Sequence, residues 1–277
     1  MTGTALALSQ IRVRRSGRTV LEIENLEIPS GVFVGLIGAN GAGKTTFLRL
    51  CAGLIKPSTG RVTLDGEDLG QLGPWSKCRL RRRVGYIPQS AQYNAELPFT
   101  LREVVAMGRT SVRPLLAGLK ADDYEMVDHW IDVLGLSARR DQTFRSLSGG
   151  EQQKTLVARA MAQHPHILML DEPCANLDFS WKYQISEIVD RLYRQTGITV
   201  VMVSHDTSVL PPTCERVILL AEGRILGDGT AEDVLSSEVL GRAYHGPLEA
   251  VVMAERRHIV SAPSNSNQLG ILPDNAK

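Results

Sequence analysis

The glycine-rich stretch GANGAGKTT, residues 38–46, has the residue types and spacing of a phosphate-binding loop. It matches G-x-x-x-x-G-K-[ST] and lies between VFVGLIG, which predicts a buried strand, and KTTFLRLCAGLI, which predicts a helix. Glycines let successive backbone N–H groups face one concavity at the start of that helix, which favours a polyphosphate. We expect Lys44 to reach the β- and γ-phosphates and the Thr45 hydroxyl to bind Mg²⁺. The predicted nucleotide-binding residues of the loop are Gly38, Ala39, Asn40, Gly41, Ala42, Gly43, Lys44, Thr45 and Thr46.

Two adjacent carboxylates, Asp171 and Glu172, end the apolar run HILMLDEP. If that run is a strand of a parallel sheet, both emerge at its carboxyl edge, where ligands bind in such folds. Asp171 is then placed to hold Mg²⁺, and Glu172 to act as the base that polarises the attacking water. An apolar run ending in Asp-Glu is weak evidence alone. Together with the phosphate loop, it predicts an ATPase rather than a protein that only binds a nucleotide.

The elements that must position these residues follow an α/β order. Strand candidates are VLEIENLEI and RVTLDG near the N-terminus, then RRVGYIPQ, HILMLD, ITVVMVS and RVILLAEG. Between about residues 100 and 165 the periodicity is helical, and Thr100 with Glu103 fits a capping box that opens a helix. This order predicts an α/β fold with a parallel-sheet core, small N-terminal strands and an inserted helical subdomain over about residues 92–165.

Composition sets outer limits on function. The 277 residues are 43% hydrophobic and 22% charged, which is typical of a soluble globular protein. A formal net charge of +1 gives no global field that favours nucleic acid, so no nucleic-acid partner is expected. Four scattered cysteines indicate a reducing compartment, and no signal peptide or membrane-spanning run is evident. The expectation is a cytoplasmic protein, with any role at a membrane depending on a partner that spans it.

With these motifs in order, the chain resembles the ATP-binding subunits of ATP-binding cassette (ABC) transporters over about residues 5–245. Gln89 in YIPQ resembles the Q-loop glutamine, and LSGGE at 147–151 resembles the family signature. NLD at 176–178 resembles the D-loop, and His205 in SHD resembles the switch histidine. The resemblance implies a P-loop NTPase domain over residues 1–245. Residues 246–277 are then a short C-terminal extension, with VVMAERRHIV as a small hairpin and a disordered end.

The resemblance also implies how the sites are used. Two copies pack head to tail, so that each ATP lies between the phosphate loop of one copy and the signature of the other. Catalytic roles fall to Glu172, His205 and Gln89, and Mg²⁺ is held by Thr45, Gln89 and Asp171. The expected partners are a second copy, transmembrane permease subunits and an extracytoplasmic substrate-binding protein, with this chain on the inner face of the cell membrane. The further nucleotide-contacting residues implied are Ser148, Gly149, Gly150, Glu151 and Asp178.

The signature stretch has a local interpretation as well. Ser148 and Glu151 fit a capping box, but this cap does not explain two glycines in a first helical turn, where they cost stability. A ligand explains them, because absent side chains let the helix N-terminus approach a γ-phosphate. Glu151 stands where the family more often has glutamine, and a carboxylate there repels phosphate unless the cap holds it back.

A second departure concerns the base of the nucleotide. The family commonly stacks an aromatic residue on adenine, whereas RRSGR occupies that place here and Arg15 is the best positional match. A guanidinium can stack on a base, so Arg15 is a candidate adenine contact. The alternative, a solvated turn residue, fits the sequence equally well.

The cargo is the least determined feature. ELPFTLREVVAMGRT resembles importers of metal ions and metal chelates such as siderophore-bound iron, haem, cobalamin, zinc or manganese. The Val-x-Met-Gly-Arg part of this stretch also fits an amphipathic packing helix. Two alternatives to an importer remain: the ATPase subunit of an exporter, and a soluble ABC ATPase of the iron–sulfur assembly type.

Overall fold

The computed structural model describes residues 3–89, 98–114, 117–244 and 246–262. Its first layer is a four-stranded antiparallel sheet in the order β2-β1-β4-β5. Alternating apolar residues of these strands are buried, which follows from the period-2 pattern of their sequences. The strands are β1 (Thr4–Arg15), β2 (Arg18–Pro29), β4 (Thr59–Leu64) and β5 (Glu67–Asp68).

The central layer is a six-stranded sheet in the order β10-β9-β3-β8-β7-β6. Five of these strands run parallel, and β10 pairs antiparallel with β9 at one edge. Every residue of β3, β7 and β8 is buried, which explains why these segments are unbroken apolar runs. The predicted α/β fold with a parallel core is therefore confirmed. The strands are β3 (Phe33–Ile37), β6 (Val84–Ile87), β7 (Ile167–Asp171), β8 (Thr199–Val203), β9 (Arg216–Ala221) and β10 (Arg224–Thr230).

The helices flank the central sheet and form a small bundle of their own. Within the described residues, no helix is long and apolar enough to cross a membrane. Residues 90–97, where the predicted helical subdomain begins, lie outside the described residues, so its boundary stays a prediction. The helices are α1 (Lys44–Cys51), α2 (Pro74–Arg81), α3 (Leu101–Thr110), α4 (Ala121–Val133), α5 (Gly149–Ala162), α6 (Phe179–Thr196), α7 (Ala231–Val234) and α8 (Ser237–Tyr244).

Helices α3, α4 and α5 are joined by a buried ion-pair cluster around Asp123. Its carboxylate, fully buried, accepts hydrogen bonds from Arg109 Nε at 2.9 Å and from the Lys120 backbone N–H at 2.9 Å, and it also pairs with Arg113. The Lys120 N–H and the two guanidinium groups lower the pKa of Asp123 to about 2. A Cβ atom on Gly108 would lie 2.1 Å from the Arg159 carbonyl oxygen, so α3 and α5 cross in close contact. In the described structure, the Met-Gly-Arg stretch is thus a packing feature of the helical bundle.

The central sheet separates two hydrophobic cores. Alternate residues of β3 belong to different cores: Phe33 and Ile37 face the helical bundle, whereas Val34 and Leu36 face the N-terminal sheet and α1. A separate two-stranded hairpin follows α8, in agreement with the hairpin predicted there. Its strands are β11 (Leu248–Met253) and β12 (Arg256–Ser261). Residues 263–277, where the sequence predicts a disordered end, lie outside the described residues.

Candidate functional site

The phosphate loop connects the carboxyl end of β3 to the first residue of α1. Its glycines adopt conformations that other residues reach only with strain, with φ of 149° at Gly38 and 103° at Gly43. A Cβ atom on Gly38 would lie 2.2 Å from the Leu220 carbonyl oxygen, and one on Gly43 would lie 3.0 Å from the Val20 carbonyl oxygen. Neighbouring backbone therefore fixes the shape of the loop, and only glycine fits at these two positions.

Lys44 is buried within this loop. Its Nζ donates to the carbonyl oxygens of Gly38 at 2.8 Å and Ala39 at 3.0 Å, and it lies 3.8 Å from Glu172 Oε1. Burial lowers the pKa of Lys44, while the charges of Glu172 and Asp171 raise it. The ammonium group is thus held in the curve of the loop and faces the two carboxylates that end β7.

Asp171 is fully buried at the end of β7 and is held on both oxygens. Thr45 Oγ1 donates to Asp171 Oδ1 at 3.1 Å, and the Tyr86 hydroxyl donates to Asp171 Oδ2 at 3.2 Å. Burial raises the pKa of Asp171, and the two hydrogen bonds oppose that shift. The sequence predicted Thr45 and Asp171 as ligands of the same Mg²⁺, but it did not indicate the part of Tyr86. The available signal was a tyrosine in a short buried strand, whose hydroxyl needs a partner.

Glu172 is the meeting point of three other predicted site residues. Its Oε2 accepts from Gln89 Nε2 at 3.1 Å and lies 3.3 Å from His205 Nδ1, while Oε1 faces Lys44. Glu172 has φ of 51°, a left-handed conformation that a non-glycine residue adopts at an energetic cost, and its N–H donates to the Val203 carbonyl at 3.2 Å. This strained turn directs the carboxylate away from the end of β7 toward Gln89 and His205.

The donor set beside the phosphate loop suits Mg²⁺. Hydroxyl and carboxylate oxygens are the ligands that this hard cation prefers, and Thr45 and Asp171 present one of each within hydrogen-bond distance. The buried carboxylate of Asp171 is close to the cationic Lys44, which limits the negative charge that accumulates there. These residues therefore fit the metal that the sequence predicted.

The signature residues form a second group at the start of α5. The predicted capping box is present, because Ser148 Oγ accepts from the Glu151 N–H at 3.3 Å and Glu151 Oε2 accepts from the Ser148 N–H at 2.9 Å. Arg139 Nε lies 3.3 Å from Glu151 Oε1, a partner that the sequence did not indicate. The Ser148 N–H and hydroxyl, followed by Arg139, lower the pKa of Glu151.

The two signature glycines pack against Leu177 of the D-loop and Trp181 of α6 in the same chain. A Cβ atom on Gly150 would lie 2.0 Å from Trp181 Cδ2, and one on Gly149 would lie 3.2 Å from Leu177 Cδ2. The sequence alone suggested a ligand as the reason for both glycines. Packing is a second reason: the Trp181 ring leaves no room for a side chain at Gly150, and Leu177 restricts one at Gly149. Lys154 Nζ lies 5.1 Å from the Trp181 ring centroid.

Two further residues predicted to contact the nucleotide are Asp178 and Arg15. Asp178 is the N-cap of α6, and its carboxylate accepts from the Trp181 N–H at 2.9 Å. Arg15 is the last residue of β1, pairs in register with Arg18 across the turn, and is exposed. Capping of α6 explains an aspartate at position 178, and the nucleotide roles of Asp178 and Arg15 stay predictions.

Comparisons with known proteins agree with these motifs. A sequence profile described as "ABC transporter" matches residues 21–175. The ferric enterobactin transport ATP-binding protein FepC of Escherichia coli strain K12 is 34% identical, covering 82% of this chain and 82% of its own. The hemin import ATP-binding protein HmuV of Rhodococcus jostii is 34% identical over 87% of this chain and 80% of its own. A methionine import ATP-binding protein, MetN of Caulobacter vibrioides, is 36% identical over 79% of this chain and 64% of its own.

A solved ATP-binding cassette resembles most of this chain. It is the dimeric post-hydrolysis state of the ATP-binding cassette MJ0796, bound to ADP and Pi. The TM-score is 0.72 with 27% identity, and the match covers 81% of this chain and 98% of the other.

Proposed function

The chain belongs to the ABC transporter family as an ATP-binding, ATP-hydrolysing subunit, and on that premise we propose how its residues perform hydrolysis. The phosphate loop and Lys44 bind the β- and γ-phosphates, and Glu172 is the general base for the attacking water. The observation that carries this proposal is the set of contacts at Glu172, whose carboxylate meets Gln89, His205 and Lys44 at the edge of the central sheet.

Each side chain has a distinct part in the proposed reaction. Glu172 accepts a proton from water as the water oxygen attacks the γ-phosphorus, and the bond to the β–γ bridging oxygen breaks. Gln89 and His205 hold the carboxylate and contact the water and the γ-phosphate edge. Thr45 and Asp171 are the proposed Mg²⁺ ligands, and the cation supplies charge neutralisation at the phosphates when bound.

We further propose a head-to-tail dimer in which Ser148, Gly149, Gly150 and Glu151 of one copy complete the nucleotide site of the other. The N-terminus of α5 presents backbone N–H groups and a partial positive charge, both of which favour a phosphate. Support comes from the division of the predicted residues into two groups of contacts, one around Glu172 and one around Gly150. The dimeric, ADP- and Pi-bound state of the similar cassette MJ0796 is consistent with this arrangement.

The catalytic proposal is tested with Glu172→Gln. An amide cannot accept the proton of water, so we expect ATP binding to be preserved while turnover falls by at least about a hundredfold. Fluorescent-nucleotide binding and phosphate release, measured on the full chain, give the two quantities. Glu187→Gln, the same change at an exposed position of α6, is the matched control. Near-normal turnover of Glu172→Gln would show that Glu172 is not the base.

For the transported molecule we propose a metal chelate, imported through permease subunits that this chain drives from the inner face of the membrane. Support comes from relatives named for ferric enterobactin and hemin. A relative of similar identity is named for methionine, so the ATPase sequence alone does not specify cargo. An extracytoplasmic binding protein is proposed as the component that delivers the chelate to the permease.

Two measurements test the transport proposal. The tagged chain is purified from detergent-solubilised membranes, and its partners are identified; a polytopic permease together with a binding protein supports import. A permease without a binding protein favours an exporter, and a purely soluble set of partners favours the iron–sulfur assembly type. Uptake of radiolabelled ferric siderophore, haem and methionine is then compared between cells with wild-type chain and cells with Glu172→Gln. Loss of methionine uptake alone would overturn the chelate proposal.

A further inference from the structure

The C-terminal hairpin lies against the segment that carries the switch histidine. Its two strands are joined by Ala254 and Glu255, with φ of 50° and 62°, a left-handed turn that two non-glycine residues adopt at a cost. Arg256, the first residue after this turn, points into the protein rather than into solvent. The strained turn thus places an arginine at a defined point on the chain.

Arg256 connects three elements. Its Nη1 donates to Ser186 Oγ in α6 at 3.0 Å and to the Ser208 carbonyl oxygen at 2.9 Å. Its guanidinium carbon lies 4.8 Å from the ring centroid of Tyr183, also in α6. Ser186 and Ser208 are both buried, so these hydrogen bonds form where water does not compete for the donors and acceptors.

A second bond joins the hairpin to the same turn. The Thr207 hydroxyl, buried, donates to the Arg257 carbonyl oxygen at 2.9 Å. Residues 207–209 form a single helical turn, so the side chain at its first residue and the carbonyl at its second are both held by the hairpin. Two hydrogen bonds from one hairpin therefore fix one short turn.

The helical turn of residues 207–209 is itself hydrogen-bonded to the segment that contains His205. The Asp206 carboxylate accepts from the Ser208 N–H at 3.0 Å and from the Ser208 hydroxyl at 2.6 Å. The Ser204 hydroxyl donates to the Asp206 carbonyl at 2.7 Å and accepts from the Asp206 N–H at 3.0 Å. Residues 204–208 are thus one hydrogen-bonded unit, and His205 within it reaches Glu172. A displacement at Ser208 would therefore act on the backbone on either side of His205.

We propose that the hairpin of residues 248–261 holds the switch histidine in its working position, and that Arg256 is the positioning residue through which it does so. This inference rests on the role proposed for His205. It assigns a function to the C-terminal extension, which the ATPase motifs do not use. Because a small displacement of a reacting group can lower its rate greatly, loss of Arg256 affects turnover more than nucleotide binding.

The test compares Arg256→Ala, Arg256→Lys and Arg257→Ala in the full chain. For Arg256→Ala we expect kcat to fall by about tenfold with KM for ATP unchanged, because the nucleotide-binding loop is intact. Arg256→Lys keeps one donor and recovers part of the rate. Arg257→Ala removes an adjacent arginine of equal charge but keeps the backbone carbonyl that Thr207 uses, and its rate stays within about twofold of wild type.

Hydrogen exchange supplies the readout that a general loss of stability would not mimic. In Arg256→Ala, amides of residues 204–210 exchange faster while those of β3 and α1 exchange as in wild type. An unchanged kcat, or faster exchange throughout the chain, overturns the inference. His205→Ala distinguishes the proposed role of His205 in hydrolysis from the proposed positioning role of Arg256. Wild-type turnover of His205→Ala overturns the role of His205 itself. An inactive His205→Ala with a fully active Arg256→Ala overturns only the positioning role.

Discussion

The indole ring of Trp181 fills the space that a side chain at Gly150 would need, with Trp181 Cδ2 only 2.0 Å from the position of a Gly150 Cβ atom. Trp181 is also the residue whose N–H is capped by Asp178, the last residue of the D-loop. The start of α5 and the start of α6 are therefore in direct contact. A movement of α6 at Trp181 would either move the signature helix or open this contact.

Gly150→Ala is expected to destabilise the chain in spite of the higher helix propensity of alanine. Propensity favours the substitution by about 1 kcal/mol, whereas overpacking against the rigid indole costs about 1–3 kcal/mol or more. Thermal and urea unfolding measure the difference. Gly149→Ala is the control and is tolerated better, because its nearest neighbour is the flexible tip of Leu177 at 3.2 Å. Adding Trp181→Leu to Gly150→Ala should recover stability, and failure to do so would contradict the packing explanation.

Tyr86→Phe is expected to weaken Mg²⁺-dependent nucleotide binding without abolishing it. The Tyr86 hydroxyl donates to the Asp171 carboxylate, and a lost hydrogen bond of this kind corresponds to about a three- to tenfold change in an equilibrium constant. The Mg²⁺ concentration for half-maximal nucleotide binding should rise by that factor. It is measured by titrating a fluorescent nucleotide with Mg²⁺, and Tyr124→Phe at an exposed position is the control.

The same substitution has a pH signature. Burial raises the pKa of Asp171, and the Tyr86 hydrogen bond opposes the shift by stabilising the carboxylate. Turnover needs the ionised form, so it is lost as pH falls through this pKa. Removing the donor raises the pKa further, and the acid limb of the activity profile should move to higher pH in Tyr86→Phe. A profile identical to wild type would show that Tyr86 does not position Asp171.

Features that depend on residues close together in the sequence were predictable. The phosphate loop, the two capping boxes and the buried strands each follow from patterns within about ten residues. The parallel core also followed, since uninterrupted apolar runs alternating with helical segments have few other arrangements. The family motifs implied catalytic roles for Gln89, His205 and Glu172, and their position at one edge of the central sheet explains why the three side chains meet.

Contacts between distant segments were not predictable in this way. Tyr86 and Asp171 are 85 positions apart, and Arg256 and Ser208 are 48 apart. The contact between Trp181 and Gly150 joins two helices whose relative placement depends on the whole core. No local pattern records such pairs, because each residue alone has an ordinary explanation: a strand tyrosine, a surface arginine, a helix tryptophan. The strained backbone of Glu172 is likewise a consequence of tertiary structure.

Arg15→Ala tests the proposed contact with the base. Arg15 ends β1 at the turn into β2, and Val20 of β2 contacts Gly43 of the phosphate loop, so this hairpin lies beside the nucleotide site. If the guanidinium stacks on adenine, ATP affinity should fall by about two- to fivefold, as for an exposed cation–π contact. Turnover of ATP and of GTP is measured for the wild-type chain and for Arg15→Ala. Arg18→Ala, its partner in register, removes the same charge and is the control.

Two outcomes are informative for Arg15. A changed ratio of ATP to GTP turnover in Arg15→Ala, with the ratio unchanged in Arg18→Ala, supports stacking. Identical ratios in wild type and Arg15→Ala would leave Arg15 as a solvated turn residue. Arg15→Tyr extends the test, because an aromatic ring at this position should restore affinity if the site is the adenine contact.

Glu151→Gln is expected to leave folding nearly unchanged at neutral pH and to strengthen ATP-driven dimerisation modestly. A glutamine side chain still accepts from the Ser148 N–H, so the cap survives. The substitution removes a negative charge from the signature, the segment proposed to contact the γ-phosphate bound to the other copy. Arg139 already offsets part of that charge, so we expect the dimer affinity to rise only about two- to threefold. Dimerisation is measured by sedimentation in the presence of ATP. Glu172→Gln is added to both the wild-type chain and the Glu151→Gln variant to prevent turnover.

The pH dependence of stability separates the cap from the phosphate effect at Glu151. Its pKa is lowered in the folded state by the Ser148 N–H and hydroxyl and by Arg139, so its contribution to stability is present above its usual pKa of 4.5. That contribution is lost as pH falls through the lowered value. Glutamine does not titrate, so the wild type should lose stability relative to Glu151→Gln on acidification. Arg139→Ala should weaken dimerisation, because it leaves the carboxylate uncompensated. Weaker dimerisation together with lost stability in Glu151→Gln would refute this account of the signature.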